Sequence, residues 1–356
     1  MSATQQTSIS RPFFVREATG LVRELSWFDT FLCGFGILNV ALGLVQAFAY
    51  APYVFPGSNM ALEFVIALPG AFFIGLLNAL FTAAMPRSGG DYVWVSRSIS
   101  PVVGFAVNFF ATFGVCAAAA VNIWYLASNF LAPALYVFGF QQAAAWVATP
   151  QAALILGIPA IILLVFIFSL GLNVVRRVML VLFLITGVGT LIWLLMMIFG
   201  NNAGFVAGFN ALMGENAYQS LIQTANAAGR TVDPAQLPLG PYISSFIIFM
   251  TTNPLLRIIV ALGFLATITW ILLPQMLIIT RNMFAWSFDR LIPSWVAQVN
   301  ERTHSPVNAT IIAGILIYIM LLLTLLTQFW AYRVNLAGVG AAVGMIVAIS
   351  AIICPY

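Results

Sequence analysis

The stretch AMPRSGGDYVWVSR, residues 84–97, separates two long apolar runs, yet it holds two arginines, an aspartate and two adjacent glycines. Pro86 ends a helix, and Gly89 and Gly90 permit a turn in which φ is positive. Asp91 is placed to cap a short helix after the turn, and the tyrosine and tryptophan of that helix suit a membrane interface. The pattern predicts a polar loop and a short helix between two membrane spans.

The composition of the whole chain is typical of a membrane protein. Of the 356 residues, 62% are hydrophobic and only 6% are charged, whereas a soluble domain carries about 25% charged residues. Because so few charges cannot cover a surface that faces water, we expect an integral membrane protein surrounded by a lipid bilayer. The net charge of +4 comes from arginines scattered through short loops, so no nucleic-acid partner is expected.

The residue types that serve metal and cofactor chemistry are scarce. The three cysteines fall in apolar runs without the spacing of metal ligands, and His304 is the single histidine. A haem, zinc or di-iron centre needs several strong nitrogen, sulfur or carboxylate ligands. We therefore expect no metal site, no cofactor and no catalytic residues, and the protein is not expected to be an enzyme.

Eight apolar segments are long enough to cross the hydrocarbon core, which takes about 20 residues of helix. They are Phe28–Tyr50, Ala61–Met85, Val102–Leu131, Ala152–Leu172, Val178–Phe199, Pro254–Thr280, Val307–Phe329 and Leu336–Ile353. A ninth segment, Tyr242–Met250, is too short to cross and is predicted to form a half-helix or a re-entrant segment. We therefore predict a multi-pass protein with one transmembrane domain, residues 1–356.

Arginines in the connecting loops predict which way the spans run. Ten of the thirteen precede the first span or follow the second, fourth and sixth spans, and only three lie on the opposite side. By the positive-inside rule, the N-terminal segment 1–25 is cytoplasmic and the spans cross the cell membrane. Residues 201–240 then form an extracellular loop, in which residues 215–230 can make a short surface helix.

Both ends of the sixth span carry further predictions. Asn253 and Pro254 are suited to cap and begin that helix, which places Arg257 near the extracellular mouth. Arg257 is either part of an outer gate or a side chain that snorkels to the interface. On the cytoplasmic side, residues 281–306 begin with apolar side chains at helical spacing among charges, which predicts an amphipathic helix on the membrane surface.

Two cytoplasmic segments resemble a known family. PRSGGDYVWVSR, residues 86–97, is similar to the Pro-x-x-Gly-Gly-x-Tyr signature of the amino acid–polyamine–organocation permeases. RNMFAWSFDRLIPSWVAQVNERTHSPVNA, residues 281–309, resembles the segment after that family's eighth span, with an arginine, an Ala-x-x-x-Asp-Arg-x-x-Pro run and a final Pro-x-x-Ala. GLVRELSWFDTF, residues 20–31, and FPGSNM, residues 55–60, also look similar to members of this family.

The resemblance implies a leucine-transporter-like fold, an all-α bundle of two inverted five-helix repeats. In that fold, substrate binds near the bilayer midplane where the first helix of each repeat is broken, because unwound backbone and half-helix dipoles are available there. In the first span this implies a break around Asn39, among Gly34, Gly36 and Gly43, although glycines also mark close helix contacts. The implied substrate-binding residues are Gly36, Ile37, Leu38, Asn39, Val40 and Gly43.

Polar residues inside the spans have two interpretations. The asparagines are expected to form interhelical hydrogen bonds. In sodium-coupled relatives, the helix that matches the sixth span offers hydroxyls to a cation, which implies a candidate cation site at Ala41, Thr267 and Thr269; interhelical bonding is the alternative. The implied coupling ion is Na⁺ or H⁺, and the absence of lysine excludes the buried-lysine mechanism of some relatives. Asp29 and Glu63 lie near span ends, where water can solvate a charged side chain at little cost in free energy.

The chain departs from the twelve-span plan of the family. Nothing matches the sixth and seventh spans between Tyr242–Met250 and the segment that resembles the eighth, and nothing matches the eleventh and twelfth. The missing sixth span would form the opposite half of the substrate site. We therefore expect an incomplete bundle, whose midplane site opens to lipid or needs a partner.

These residues allow two functions. The resemblance implies a secondary active transporter of amino acids or related organic cations, which binds a small-molecule substrate near the broken first span and works by alternating access. The missing spans fit a shortened natural gene, an incomplete sequence or a loss of transport, so the alternative is a permease-derived membrane protein that does not transport. Such a protein would be a binding or assembly partner, or a truncated remnant.

Overall fold

Every regular element in the described part of the chain is a helix. The structure is a computed structural model that describes residues 26–39, 42–43, 59–85, 89–227 and 248–327. The helices are α1 (Trp27–Leu38), α2 (Met60–Ala84), α3 (Asp91–Ser98), α4 (Pro101–Tyr125), α5 (Ala132–Val137), α6 (Gln141–Val147), α7 (Pro150–Ser169), α8 (Leu172–Phe199), α9 (Asn202–Met213), α10 (Ala217–Ala227), α11 (Pro254–Phe288) and α12 (Val307–Thr327). A π-helical turn, Leu126–Leu131, joins α4 to α5, and a 3₁₀ turn, Ser294–Ala297, lies between α11 and α12.

Six helical segments in the described residues are long and apolar enough to cross a membrane. They are Val65–Ala84, Pro101–Val137, Pro150–Ser169, Leu172–Phe199, Pro254–Phe288 and Val307–Leu326. They correspond to the second to seventh predicted spans, which confirms an all-α membrane protein. The first predicted span contains the 12-residue apolar helix α1, and the eighth lies outside the described residues. The predicted surface helix after residue 215 is confirmed as α10.

Polar caps followed by proline explain where three of the spans begin. The pairs are Ser100–Pro101 at α4, Thr149–Pro150 at α7 and Asn253–Pro254 at α11. In each pair the polar side chain accepts a hydrogen bond from a backbone N–H of the first turn. The N–H group of the first helical residue has no partner within the helix, so proline, which lacks this group, is tolerated there. The fixed φ of proline also matches that of a helix. The predicted cap at Asn253 is confirmed.

Helix α11 is the centre of the bundle. In the 18-residue apolar stretch of α11 that is long enough to cross a membrane, 61% of the residues are buried, against 6% in the corresponding stretch of α2. The most extensive contact of α11 is with α8. The two helices meet backbone to backbone, because a Cβ atom added at Gly189 would lie only 2.6 Å from the Cα atom of Gly263. Small residues allow membrane helices to approach closely and gain dispersion contacts. The Gly189–Gly263 contact therefore sets the separation of the two central helices.

Side-chain hydrogen bonds join α4 to α11 along their antiparallel interface. The pairs are Trp286–Asn108 (2.8 Å), Asn282–Thr112 (2.9 Å) and Asn122–Gln275 (3.2 Å). All six side chains are buried. The expectation of interhelical bonding is confirmed for Asn108 and Asn122, whereas Asn78 donates to the Ile74 carbonyl of its own helix.

The last two turns of α11 differ from the prediction. The helix continues past Thr280 to Phe288, and residues 282–287 are buried. A separate amphipathic helix on the membrane surface is therefore wrong for residues 281–288. The physical reason is that Asn282 and Trp286 find hydrogen-bond partners on α4, while Ser287 donates to the Pro293 carbonyl, so that residues 282–287 face the protein.

The described loops lie at the two ends of α11, which we name the Arg257 end and the Asp289 end. At the Asp289 end, the turn between α7 and α8 packs on the loop before α12: Ser305 Oγ donates to the Phe168 carbonyl (2.6 Å). Six of the seven described arginines lie at this end: Arg97, Arg176, Arg177, Arg281, Arg290 and Arg302. The described loops that the charge pattern assigned to one side thus share one end of the bundle. That this end is cytoplasmic stays a prediction.

We expect the Gly189→Ala variant to be less stable than the wild type by about 1–3 kcal/mol, because the added methyl group forces the α8 and α11 backbones apart. The measurement is SDS-induced unfolding in mixed micelles. Gly187→Ala is the matched control, since Gly187 lies on the same helix with open space around it. Equal stability of the two variants would contradict a close backbone contact at Gly189.

Candidate functional site

Helix α1 ends at Leu38 because Asn39 adopts a left-handed conformation, with φ 38° and ψ 78°. Asparagine visits this region more readily than most residues. The Asn39 N–H still donates to the Phe35 carbonyl (2.8 Å), and its carbonyl accepts from the Gly43 N–H (2.9 Å). Leu42 and Gly43 are again helical. The predicted break in the first span is therefore confirmed, and it lies at Asn39.

The side chain of Asn39 fixes the break to the central helix. Its Nδ2 donates to the Thr267 carbonyl oxygen (2.7 Å), and its Oδ1 accepts from the Leu42 N–H (3.1 Å). Asn39 is only 1% exposed, so little water competes for these bonds. One residue thus ends the first helical piece, begins the second and binds α11.

Gly36 lies one turn before the break, directly under an indole ring. A Cβ atom at Gly36 would lie 2.7 Å from Trp270 Nε1, so a larger residue does not fit without a shift of the ring. Trp270 is buried, and its N–H has no hydrogen-bond partner in the described residues. The rings of Phe35 and Phe183 lie against the same indole, with centroids 5.9 and 5.4 Å away. An aromatic cluster with an unused N–H donor therefore adjoins the break, and sequence reasoning gave no signal for it.

The other residues predicted to bind substrate are placed unevenly. Ile37 is half-buried, Leu38 is 76% exposed and Gly43 is exposed. Val40 lies outside the described residues. Of the predicted set, the structure therefore brings Gly36 and Asn39 against α11.

The two threonines of the candidate cation site point in different directions. Residues two apart in an α-helix are rotated by about 200°, so Thr267 and Thr269 lie on opposite faces of α11. Their hydroxyls donate to the carbonyls of Gly263 (2.8 Å) and Leu265 (2.7 Å) in the preceding turn. Thr267 alone of the two contacts Asn39, through its carbonyl oxygen, and Ala41 lies outside the described residues.

The start of α1 is held by an ion pair that the sequence did not predict. Ser26 and Asp29 form a capping box, and Asp29 Oδ2 lies 3.6 Å from Arg176 Nη1 at the start of α8. Asp29 is 5% exposed, so the expectation of a solvated carboxylate at a span end is wrong. The Ser-x-x-Asp spacing is a capping signal in the sequence, whereas the arginine partner is 147 residues away and becomes visible only in the fold.

The two segments that carry the family resemblance touch each other. Gly89 and Gly90 make the predicted turn, with φ of 106° and 44°. A Cβ atom at Gly89 would lie 2.8 Å from Ala285 Cβ, and the Tyr92 hydroxyl donates to Asp289 Oδ2 at 2.5 Å. The two segments are therefore packed together at the Asp289 end.

The short helix α3 corrects two expectations. Asp91 makes no capping hydrogen bond, because the preceding glycine occupies the cap position. Tyr92 and Trp94 are buried rather than interfacial, and Trp94 stacks on Phe81 of α2. Burial, followed by the hydrogen bond to Asp289, raises the pKa of Tyr92, so its hydroxyl stays protonated and remains the donor at neutral pH.

Arg257 joins three parts of the chain at the opposite end. Its Nε donates to the carbonyls of Thr251 (2.7 Å) and Ile248 (3.2 Å), and its Nη2 donates to the Gly208 carbonyl (3.3 Å). Arg257 is 8% exposed, so snorkelling is wrong: the guanidinium is turned inward and satisfied by backbone oxygens. The outer-gate alternative stays a prediction.

Comparison of the sequence with protein-family models and with curated proteins finds no match. The resemblance to the permease family therefore rests on the residues quoted above. The structure adds that the two main segments form one packed unit through Gly89 with Ala285 and Tyr92 with Asp289.

We expect Asn39→Ala to lower the free energy of unfolding by about 2–4 kcal/mol, since it removes two buried hydrogen bonds and places alanine in a left-handed conformation. SDS-induced unfolding measures the loss. Asn78→Ala is the control, because the Asn78 amide bonds only within its own helix among the described contacts. A loss at Asn39 no greater than at Asn78 would show that the Asn39 contacts do not hold the break.

A double-mutant cycle of Tyr92→Phe and Asp289→Asn tests the contact between the two motif segments. Because a hydrogen bond to a charged group is stronger than a neutral one, we expect a coupling energy of about 1.5–3 kcal/mol in unfolding measurements. Tyr318→Phe is the control, and its stability should match the wild type because Tyr318 makes no hydrogen bond within the described residues. A coupling energy near zero would sink this prediction.

Proposed function

We propose that the protein is a secondary active transporter of amino acids or related organic cations, and that it works by alternating access around the break at Asn39. The observation that carries the proposal is the left-handed residue Asn39, which is buried and interrupts the helix beside α11. Thr267, its partner on α11, is about 20 Å along the helix from Pro254. Non-helical backbone at membrane depth occurs where it is buried in protein or lines a cavity, and in transporters such interruptions hold the substrate.

The chemistry of the break suits a small zwitterion. The C-terminal end of α1 at Leu38 carries a partial negative charge, which favours a protonated amine. The start of the helical piece that resumes at Leu42 carries a partial positive charge, which favours a carboxylate. An amino acid carries both groups on one carbon, and an organic amine carries the first.

Contacts at the two ends of the bundle are the candidate gates in this proposal. At the Asp289 end, α1 is held by the Asp29–Arg176 pair and by the contact of Phe35 with Phe183. At the Arg257 end, three carbonyl oxygens are held by one guanidinium. Alternating access would release these two sets of contacts in turn, and the coupling ion in our proposal is Na⁺ or H⁺.

The second candidate function is that of a membrane-bound binding or assembly partner without transport. Helix α2 favours this second function, because only 6% of its 18-residue apolar stretch is buried against the rest of the protein. Its aromatic contact with the rest of the described chain is the stack of Phe81 on Trp94, with centroids 5.4 Å apart. A span with so little packing of its own is available to another protein as well as to lipid.

Uptake into proteoliposomes separates the two candidates. Purified protein is reconstituted and offered radiolabelled amino acids and polyamines, with either a Na⁺ or a proton gradient. We expect Gly36→Ala to reduce uptake about tenfold or more, because the methyl group collides with Trp270. Gly34→Ala, whose added methyl meets open space, should retain wild-type uptake.

Two results would decide against transport at this site. Absence of uptake and of binding across the whole panel would favour the partner function. Uptake that is equally sensitive, or equally insensitive, to Gly34→Ala and Gly36→Ala would place the substrate away from the break.

A further inference from the structure

An apolar groove runs along the outer face of the bundle between α7 and α12. Its volume is about 630 Å³, and its lining includes Ile158, Ile162, Phe166, Ile315, Tyr318 and Ile319. Gly314 lies at its floor, where a Cβ atom would be 2.8 Å from the Val165 side chain. Because α7 and α12 approach closely at this glycine, the exposed side chains on either side of it form the walls of the groove.

A smaller cavity lies at one end of the groove, where α7 ends and α12 begins. Phe168 and Thr310 line the cavity, and their chain neighbours Ser169 and Ile311 line the groove. The cavity also has a polar wall, which consists of Thr280, Arg281, His304 and Ser305. Its volume of about 20 Å³ accepts one water-sized group, such as a single phosphate oxygen.

The cation of this cavity lacks an anionic partner in the described part of the chain. Among the described residues, the ion pair joins Arg176 to Asp29, neither of which lines the cavity. Arg281 has no described carboxylate within 4 Å. Arg281 is half-buried, and a guanidinium partly removed from water gains from a charge-assisted hydrogen bond to an anion. His304 adds a second nitrogen-bearing side chain to the cavity wall, and no acidic side chain is among the described residues that line the cavity.

The cavity lies where long apolar helices end or begin. It is formed where three membrane-length helices end or begin, by Phe168 near the end of α7, Leu172 at the start of α8 and Thr310 in the first turn of α12. A ligand that places an anion at Arg281 and an apolar chain in the neighbouring groove is amphipathic. A second copy of this chain would cover the groove but would bring no anion that the structure identifies.

We propose that the groove and the cavity together bind a phospholipid with an anionic headgroup. An acyl chain lies in the groove between α7 and α12, and a phosphate oxygen binds Arg281. The Ser305–Phe168 hydrogen bond holds the cavity wall in place. This site is separate from the break at Asn39 and does not depend on the proposed transport function.

Native mass spectrometry with phosphatidylglycerol and phosphatidylcholine at equal concentration tests the site. The wild type is expected to retain phosphatidylglycerol about tenfold more strongly than phosphatidylcholine, and Arg281→Gln is expected to abolish that preference. Arg302→Gln is the matched control, because Arg302 lies at the same end, is exposed and does not line the cavity; it should keep the preference.

A second variant tests the groove without touching the cation. Ile315→Trp fills the groove and should lose the retained lipid, whereas Leu194→Trp, at an exposed position on α8 outside the groove, should keep it. The proposal is overturned if the wild type shows no preference for the anionic lipid or if Arg281→Gln retains it. It is also overturned if Ile315→Trp dissolves a dimer while lipid retention is unchanged, since a second copy would then occupy the groove.

Discussion

The backbones of α8 and α11 touch at Gly189 and Gly263, and a chain of hydrogen bonds leads from that contact to the break at Asn39. The Gly263 carbonyl accepts the Thr267 hydroxyl one turn later, and the Thr267 carbonyl in turn accepts the Asn39 amide. Phe183 on α8 and Trp270 on α11 meet beside α1. Helix α1 therefore lies in the angle between two helices whose separation is set by two residues without side chains.

At the break, the polar groups of the described residues Asn39, Leu42 and Gly43 find partners nearby. An unwound turn inside a membrane protein exposes backbone N–H and C=O groups, each of which costs several kcal/mol if it stays unpaired in an apolar environment. The backbone N–H of Asn39 pairs with the helical piece before the break, and its carbonyl and Oδ1 pair with the piece after it. Its Nδ2 donates to the Thr267 carbonyl on α11. The unpaired Trp270 N–H one turn away is a group that a bound ligand could satisfy.

Local sequence signals predicted the local features of the structure. The glycines around Asn39 indicated the break, the Asn253–Pro254 pair indicated the start of α11, and the Gly89–Gly90 pair indicated a turn with positive φ. Each of these depends on the conformational preference of one or two residues. Helical spacing alone would also have placed Thr267 and Thr269 on opposite faces.

The features that the sequence did not predict depend on partners far away in the chain. The end of α11 was interpreted as a surface helix because its polar positions had no visible partner, and that partner is α4. For Arg257 the sequence allows an outer gate or snorkelling, and the carbonyl oxygens that rule out snorkelling carry no signal in the sequence. Periodicity reports which face of a helix is apolar, but not whether its polar face meets water or another helix.

We propose that the break at Asn39 is a ligand site and not only a packing irregularity. The decisive experiment is hydrogen–deuterium exchange of the backbone amides in residues 36–43, with and without a transported amino acid. We expect slower exchange in this segment when the amino acid is present, with little change in the core of α11. Unchanged exchange at residues 36–43 at a saturating concentration of a transported amino acid would contradict it.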